Sequence, residues 1–225
     1  MNQFLDILAS LIAVVVVLSL HEFAHAFVAY RCGDPTAKLM GRMTLNPIKH
    51  FDPLGVILFV FAHFGWAKPV PVNPDNFKNR KWGSFWTSAA GILVNYLSAF
   101  LLFYPLYVLT VEYVAPFFVG KYMYAFLINL TGYLFGYSIS FAAFNFLPVF
   151  PLDGFRMWEA LDRRNYKILN FIRMNGSYIL MGLIILNLLS GYIPLLGYVN
   201  VLGIAMNYLQ KLFIFPITKF WGLIF

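Results

Sequence analysis

The stretch LIAVVVVLSLHEFAHAF, residues 11–27, places two histidines and a glutamate inside a run of apolar side chains. The apolar run extends over residues 4–30. At about 1.5 Å per residue, a helix of this length crosses a hydrocarbon core of roughly 30 Å. Ionisable side chains inside a membrane span are costly and usually mark function. We therefore expect His21, Glu22 and His25 to form part of a functional site.

The composition of the whole chain also indicates an integral membrane protein. Of its 225 residues, 61% are hydrophobic and only 11% are charged, whereas soluble domains carry about 25% charged residues. The net charge is +7. The basic residues concentrate in three segments, 31–49, 68–81 and 156–173, as expected for cytoplasmic loops. The sequence contains no nucleic-acid recognition motif, so we expect no nucleic-acid partner.

These basic segments predict the orientation of the chain. They follow the first span, precede the second and follow the third, so all three lie on the cytoplasmic side. The N-terminus is then outside, and residues 19–28 lie near the cytoplasmic surface. We expect an integral protein of the cytoplasmic (inner) membrane of a prokaryote, with its site near the cytoplasmic face.

The distribution of apolar runs predicts an all-α polytopic membrane protein, built from a three-helix core and one or two C-terminal membrane helices. The expected core spans are 4–30, 83–111 and 122–147, followed by a fourth span at 174–190 and a segment at 196–222 that is either a fifth span or an interfacial helix.

Between the first two spans the sequence predicts irregular structure. We expect short strand-like segments at 41–46 and 68–73, and a re-entrant or interfacial element at 54–67. The domain organisation that follows is one integral unit. It has a membrane-embedded core over residues 1–160 and C-terminal membrane helices over residues 161–225.

The spacing of the polar residues in the first span is that of a metal site. His21 and His25 are four residues apart, so both imidazoles lie on one face of a helix. Glu22 is rotated by about 100° from His21 and can stand beside a shared ion without binding it. This H-E-x-x-H arrangement is typical of zinc hydrolases, in which the glutamate is the general base.

A catalytic zinc site needs a third protein ligand and one open position. Asp6 lies at the opposite end of the same helix and is too far away. Asp153 follows the third span in the segment PLDG, at the same membrane depth and on the same side as the histidines. Depth and sidedness favour Asp153 as the third ligand, and His50 and His63 are the alternatives.

Four motifs together resemble those of the site-2 protease family of intramembrane zinc metalloproteases. HEFAH is followed by GILVN (residues 91–95) and NFLPVFPLDG (residues 145–154), in the order found in the family, each on its own span. GWAKPVPVNP (residues 65–74) is similar to the loop of the compact members that lack a PDZ domain. The resemblance covers about residues 10–160.

This resemblance implies one zinc ion bound by His21, His25 and Asp153, with Glu22 as the base. It also implies substrate positioning by two asparagines, Asn95 and Asn145. From the residues alone, each amide is equally well explained as an interhelical hydrogen bond. The implied activity is hydrolysis of peptide bonds in or near the transmembrane helices of membrane-protein substrates, within the lipid bilayer, as in regulated intramembrane proteolysis.

Other functions fit the sequence less well. A metal or proton transporter is the first alternative, but the chain shows no internal repeat of the kind common in transporters. A di-iron carboxylate protein would need a second Glu-x-x-His motif, which the sequence lacks. An inactive relative that only binds membrane helices is disfavoured because Glu22 is intact.

Overall fold

The computed structural model describes residues 2–55, 68–114, 120–162 and 167–225, and the regular elements within these ranges are all helical. The α-helices in the described part of the chain are α1 (Asn2–Cys32), α2 (Thr36–Leu39), α3 (Arg80–Ser98), α4 (Tyr104–Tyr113), α5 (Lys121–Asn145), α6 (Asp153–Leu161), α7 (Lys167–Ser190) and α8 (Val201–Trp221).

Within the described residues, five helical segments are long and apolar enough to cross a membrane: α1, the continuous α3–α4 segment, α5, α7 and α8. This confirms the prediction of an all-helical, integral membrane protein. The fourth span begins at Lys167, earlier than expected. The open question at 196–222 is answered by α8, which has the length and composition of a fifth span and follows a 3₁₀ turn at Pro194–Val199.

The predicted strands are wrong for the segments that the structure describes. Residues 41–46 and 68–73 contain turns, bends and irregular backbone, with no β-strand. The reason is that their polar groups find partners outside any ladder. Val70 and Asn73 donate their N–H groups to carboxylates, and Pro69 and Pro71 have no N–H to offer a neighbouring strand. Most of the predicted re-entrant element lies outside the described residues.

The first helix is the centre of the bundle and packs against both α3 and α5. Ala9, Ala13 and Val17 are fully buried along one side of α1. Such small side chains allow close helix packing in a membrane. At the end of α1 far from the histidines, Asp6 accepts hydrogen bonds from Asn129 (3.0 Å) and Tyr133 (2.8 Å) of α5. This carboxylate therefore serves as an interhelical tie.

The second span is interrupted by a π-helical segment between α3 and α4, Ala99–Phe103. A wide turn of this kind leaves a backbone carbonyl without its usual helical partner. The Nε1–H group of Trp221, on α8, donates to the Phe100 carbonyl at 2.7 Å. The last helix thus satisfies the irregular turn of the second span.

The chain leaves α5 through a short loop and enters α6 at Asp153. Helix α6 packs against α3. This packing places Asp153, the first residue of α6, beside α3. The loop is fixed by an apolar cluster shared with α7 and α8. Its buried members are Leu147, Leu152, Leu180 and Leu202. The C-terminal helices therefore support the segment that carries Asp153.

Candidate metal centre

The structure brings His21, His25 and Asp153 together into one buried group. The Nε2 atoms of the two histidines are 3.0 Å apart. The Oδ2 atom of Asp153 is 3.3 Å from Nε2 of His21 and 3.2 Å from Nε2 of His25. The end of α1 and the start of α6, which are far apart in the sequence, therefore direct their ligand atoms at a common position.

The dimensions of this group fit a zinc ion. Zinc lies about 2.0–2.1 Å from histidine nitrogens, so the ligand atoms around a tetrahedral zinc are about 3.3–3.4 Å apart. The three separations of 3.0–3.3 Å are close to this value. Moreover, Oδ2 of Asp153 is buried and makes no hydrogen bond of good geometry, even to the nearby imidazoles. A buried carboxylate oxygen in this state is suited to a cation.

The outer nitrogen of His25 fixes the orientation of its ring. Nδ1 lies 2.7 Å from the backbone carbonyl of Thr87 on α3. A carbonyl only accepts, so Nδ1 carries the proton and Nε2 presents a lone pair to the centre of the group. This is the usual arrangement of a metal-binding histidine, whose second nitrogen donates to a carbonyl or carboxylate.

The outer nitrogen of His21 faces Asn95, the last residue of GILVN. The Asn95 side chain is 1% exposed, with Nδ2 lying 3.2 Å from Nδ1 of His21, while its Oδ1 atom has no hydrogen-bond partner. Asn95 thus belongs to the surroundings of a histidine. Asn145, by contrast, donates to the Phe141 carbonyl of its own helix, and the three-residue group in the described part of the chain does not include it.

Glu22 is buried beside the histidines but is not part of the three-residue group. Its Oε2 atom accepts a hydrogen bond from the backbone N–H of Val70 at 2.8 Å. This places the carboxylate next to the candidate metal position, held by the loop that follows the first span. The contact was not anticipated from the sequence, because every non-proline residue has the same backbone N–H group.

Two glycines make the group geometrically feasible. A Cβ atom at Gly91 would overlap the rings of His21 and His25, so only glycine lets α3 approach α1 at this level. A Cβ atom at Gly154 would overlap the backbone carbonyl of Phe146. The glycine after Asp153 therefore lets α6 begin directly against the end of α5.

Asp153 is the first residue of α6, where the helix dipole favours a negative charge. Burial by itself raises the pKa of its carboxyl group, whereas the facing His25 and His21 side chains, when protonated in the metal-free site, lower that pKa below the ordinary value. The charged carboxylate is the form that binds a metal, and metal binding displaces the protons from the imidazole nitrogens that face it.

The two histidines considered as alternative third ligands, His50 and His63, are not in the group that the described residues form. His50 is buried apart from the group, and its Nε2 atom lies 2.8 Å from the Thr44 carbonyl. His63 lies outside the described residues. Among the described residues, the group that can hold a metal therefore consists of His21, His25 and Asp153.

Comparison with known proteins places these features in a family. The model of Peptidase family M50 matches residues 9–189. The chain is 44% identical over 154 residues to the Bacillus subtilis (strain 168) protein named "Putative zinc metalloprotease YwhC", covering 67% of each chain. It is 44% identical over 55 residues to "Putative zinc metalloprotease Rip2" of Mycolicibacterium smegmatis (strain ATCC 700084 / mc(2)155), covering 23% of this chain and 21% of that protein.

No solved structure matches the chain significantly. The family match nevertheless spans the buried group, the second and third helical spans and most of α7. It agrees with the resemblance that the H-E-x-x-H, Gly-x-x-x-Asn and Pro-Leu-Asp-Gly motifs indicate. With the family match covering most of its length, this chain belongs to Peptidase family M50, the site-2 protease family of zinc metalloproteases.

Proposed function

We propose that this protein is an intramembrane zinc endopeptidase that hydrolyses peptide bonds in or near the transmembrane helices of membrane-protein substrates. The observation that carries the proposal is the buried group of His21, His25 and Asp153 beside Glu22, inside helices of membrane-spanning length. Family membership supports the reaction type. The membrane setting of the site supports a substrate that is itself embedded in the bilayer.

The proposed location is the cytoplasmic membrane of a prokaryote, with the N-terminus outside and the site near the cytoplasmic face. The basic segments support this orientation through the positive-inside rule. Within the chain, residues 1–160 form the proposed catalytic core. Residues 161–225 form membrane helices that support the loop before Asp153.

In the proposed site, His21, His25 and Asp153 hold one zinc ion. When bound, the zinc would supply Lewis-acid polarisation of the scissile carbonyl and would lower the pKa of its bound water to about 7. The protein fixes the ligand side chains in advance. The Thr87 carbonyl sets the ring of His25, and the glycine at 91 gives both rings the room they occupy.

Glu22 is the proposed general base and acid. Its Oε2 atom is held by the Val70 N–H group, which leaves Oε1 to accept a proton from the attacking water. Glu22 then delivers this proton to the nitrogen of the leaving amine as the peptide bond breaks. A positioned acid–base group of this kind contributes about 10²–10⁴-fold to the rate.

For the asparagines we propose different roles. Asn95 orients His21, a role supported by its burial beside Nδ1 of the ring. With the amide oxygen and nitrogen exchanged, Oδ1 accepts the Nδ1 proton of a metal-binding imidazole. Substrate positioning is the proposed role of Asn145, whose side chain is partly exposed at the end of α5, shortly before Asp153.

The test is a comparison of wild-type protein with Glu22→Gln in proteoliposomes that contain a membrane-helix substrate. We expect one zinc ion per chain in both, and loss of at least 100-fold in cleavage rate for Glu22→Gln. Glu112→Gln, at an exposed position near the end of α4, is the matched control and should cleave normally. Full cleavage by Glu22→Gln would refute the mechanism.

A second variant tests the metal site. Asp153→Ala should weaken zinc binding, because it removes one of three protein ligands. Unchanged zinc affinity would refute Asp153 as the third ligand. A wild-type protein that binds zinc but cleaves no membrane helix would instead support an inactive relative.

A further inference from the structure

Glu22 is fixed by a backbone group of a loop, which we call the clamp loop and define as residues 68–76. The contact is the 2.8 Å hydrogen bond from the Val70 N–H group to Oε2 of Glu22. A glutamate has three side-chain torsions, so this bond restricts a group that would otherwise sample several positions. The position of Glu22 therefore depends on whatever holds the clamp loop in place.

One end of the clamp loop is held by Asp34, directly after α1. Asp34 is fully buried. Its Oδ2 atom accepts the N–H group of Asn73 at 2.7 Å, and its Oδ1 atom accepts the side-chain amide of Asn76 at 2.8 Å. Oδ1 also accepts the N–H and hydroxyl groups of Thr36. One carboxylate thus joins the end of α1, the start of α2 and the clamp loop.

The protonation state of Asp34 agrees with this role. Burial raises the pKa of the carboxyl group, but the hydrogen bonds from Asn76, Thr36 and Asn73 outweigh burial and lower the pKa below its ordinary value. The carboxylate form is therefore the one that the surrounding donors stabilise. Hydrogen bonds to a charged group are stronger than those between neutral groups, so Asp34 holds these three segments together firmly.

The other end of the clamp loop is held by Arg42. Its Nη2 atom donates to the carbonyls of Lys68 (2.7 Å) and Pro69 (3.3 Å). The Arg42 side chain is buried, and among the described residues no carboxylate forms an ion pair with it. A buried guanidinium without a counter-ion is costly. Here the charge is directed at the backbone of the clamp loop.

Between the two ends, the side chain of Val70 anchors the loop against α1. Val70 is buried in a small cluster with Ala26 of α1 and Ala37 of α2. Ala26 is four residues after Glu22, so it lies on the same face of α1, one turn further along. The apolar side chain of Val70 and its N–H group thus engage two adjacent turns of one helix.

We propose that Asp34 and Arg42 are positioning residues for catalysis, which clamp the two ends of the loop so that the Val70 N–H group holds Glu22 in its reactive place. This inference rests on the proposed role of Glu22 as the base. In the described part of the chain, neither Asp34 nor Arg42 belongs to the group formed by His21, His25 and Asp153. Through Glu22, the two residues affect the proton-transfer step, and they leave zinc binding unchanged.

The experiment uses Asp34→Asn and Arg42→Gln in the full-length protein, with Asp75→Asn and Arg80→Gln as matched controls. Asp75 and Arg80 form an exposed ion pair in and beside the same loop, with side chains 72% and 74% exposed. We expect kcat to fall at least tenfold in the two clamp variants, since a misplacement of about 1 Å can cost on the order of 100-fold. KM should change less than threefold, zinc stoichiometry should stay at one, and the controls should stay within twofold of wild type.

Two further measurements separate positioning from general loss of structure. Amide hydrogen exchange should become faster in residues 68–76 of Asp34→Asn and stay unchanged in α1. Arg42→Lys should recover part of the kcat lost in Arg42→Gln, because an ammonium group can still donate to the Lys68 carbonyl. No recovery by Arg42→Lys, together with zinc loss in Arg42→Gln, would overturn the proposal.

The remaining outcomes are equally decisive. A higher KM with unchanged kcat would make the clamp loop a substrate-binding element and refute the positioning role. Wild-type kcat in Asp34→Asn, with Glu22→Gln inactive, would refute the positioning role and leave the proposed function intact. Full activity in Glu22→Gln would refute both.

Discussion

Replacing Gly91 with alanine should disrupt the metal site without changing any of its ligands. A methyl group at this position would lie 2.5 Å from Nε2 of His25 and 2.7 Å from Nδ1 of His21, and would overlap Cε1 of His21. The methyl group would therefore overlap both imidazoles at once. Neither ring can move away freely, since Thr87 and Asn95 hold their outer nitrogens.

The size of the effect follows from these distances. Non-bonded heavy atoms rest about 3.5 Å apart or more, so the rings or the two helices must separate by about 1 Å. Zinc–ligand distances tolerate about 0.2 Å, so the displacement is about five times that tolerance. We expect zinc affinity to fall on the order of 100-fold, which is about 2.7 kcal/mol. Overpacking should also lower the free energy of unfolding by about 1–3 kcal/mol.

The assay is a competition titration of purified protein with a chromophoric zinc chelator, alongside thermal unfolding of the zinc-free form. Gly136→Ala is the matched control, because a Cβ atom at this position on α5 meets no atom within 4 Å. It should leave zinc affinity within a factor of two of wild type. If Gly91→Ala bound zinc as tightly as wild type, the close approach of α3 to the two imidazoles would not be what shapes this site.

Three further predictions concern the same centre. Gly154→Ala should weaken zinc binding at least tenfold, because a Cβ atom would overlap the Phe146 carbonyl and displace the start of α6 with Asp153; wild-type affinity in a titration would contradict this. Asn95→Ala should weaken zinc binding about 10–100-fold by removing the partner of His21, as for other groups that orient metal ligands, and Asn95→Asp should retain more affinity than Asn95→Ala. Removing zinc with a chelator should lower Tm, since zinc at 100 times its Kd stabilises the folded state by about 2.7 kcal/mol; an equal Tm with and without chelator would count against a zinc site formed only in the folded protein.

The membrane helices were largely predictable because their signal is local. Long apolar runs in α1, α3–α4 and α5 are sufficient for helices in a bilayer, where each backbone group must be paired within its own segment. The strands predicted at 41–46 and 68–73 were wrong because no such constraint applies there. In residues 68–73, for example, the N–H groups of Val70 and Asn73 donate to Glu22 and Asp34, which are far away in the sequence.

The residues of the site were predictable to different degrees. The spacing of His21 and His25 already places both on one face of a helix. Asp153 was favoured by membrane depth, by sidedness and by the family resemblance, and the structure brings its Oδ2 atom to within 3.3 Å of Nε2 of both imidazoles. Asn95 was suggested by resemblance with two equally weighted roles. The structure shows its contact with the outer nitrogen of His21, which the sequence left open.

The sequence by itself determined that this is a helical membrane protein with an H-E-x-x-H pair in its first span, because hydropathy and helical periodicity depend only on neighbouring residues. Tertiary structure alone decided which backbone groups surround that pair. The Thr87 carbonyl and the Val70 N–H group are chemically the same as those of most other residues. Only the packing of α3 and the clamp loop against α1 brings them to His25 and Glu22, so no pattern of residue types could have marked them in advance.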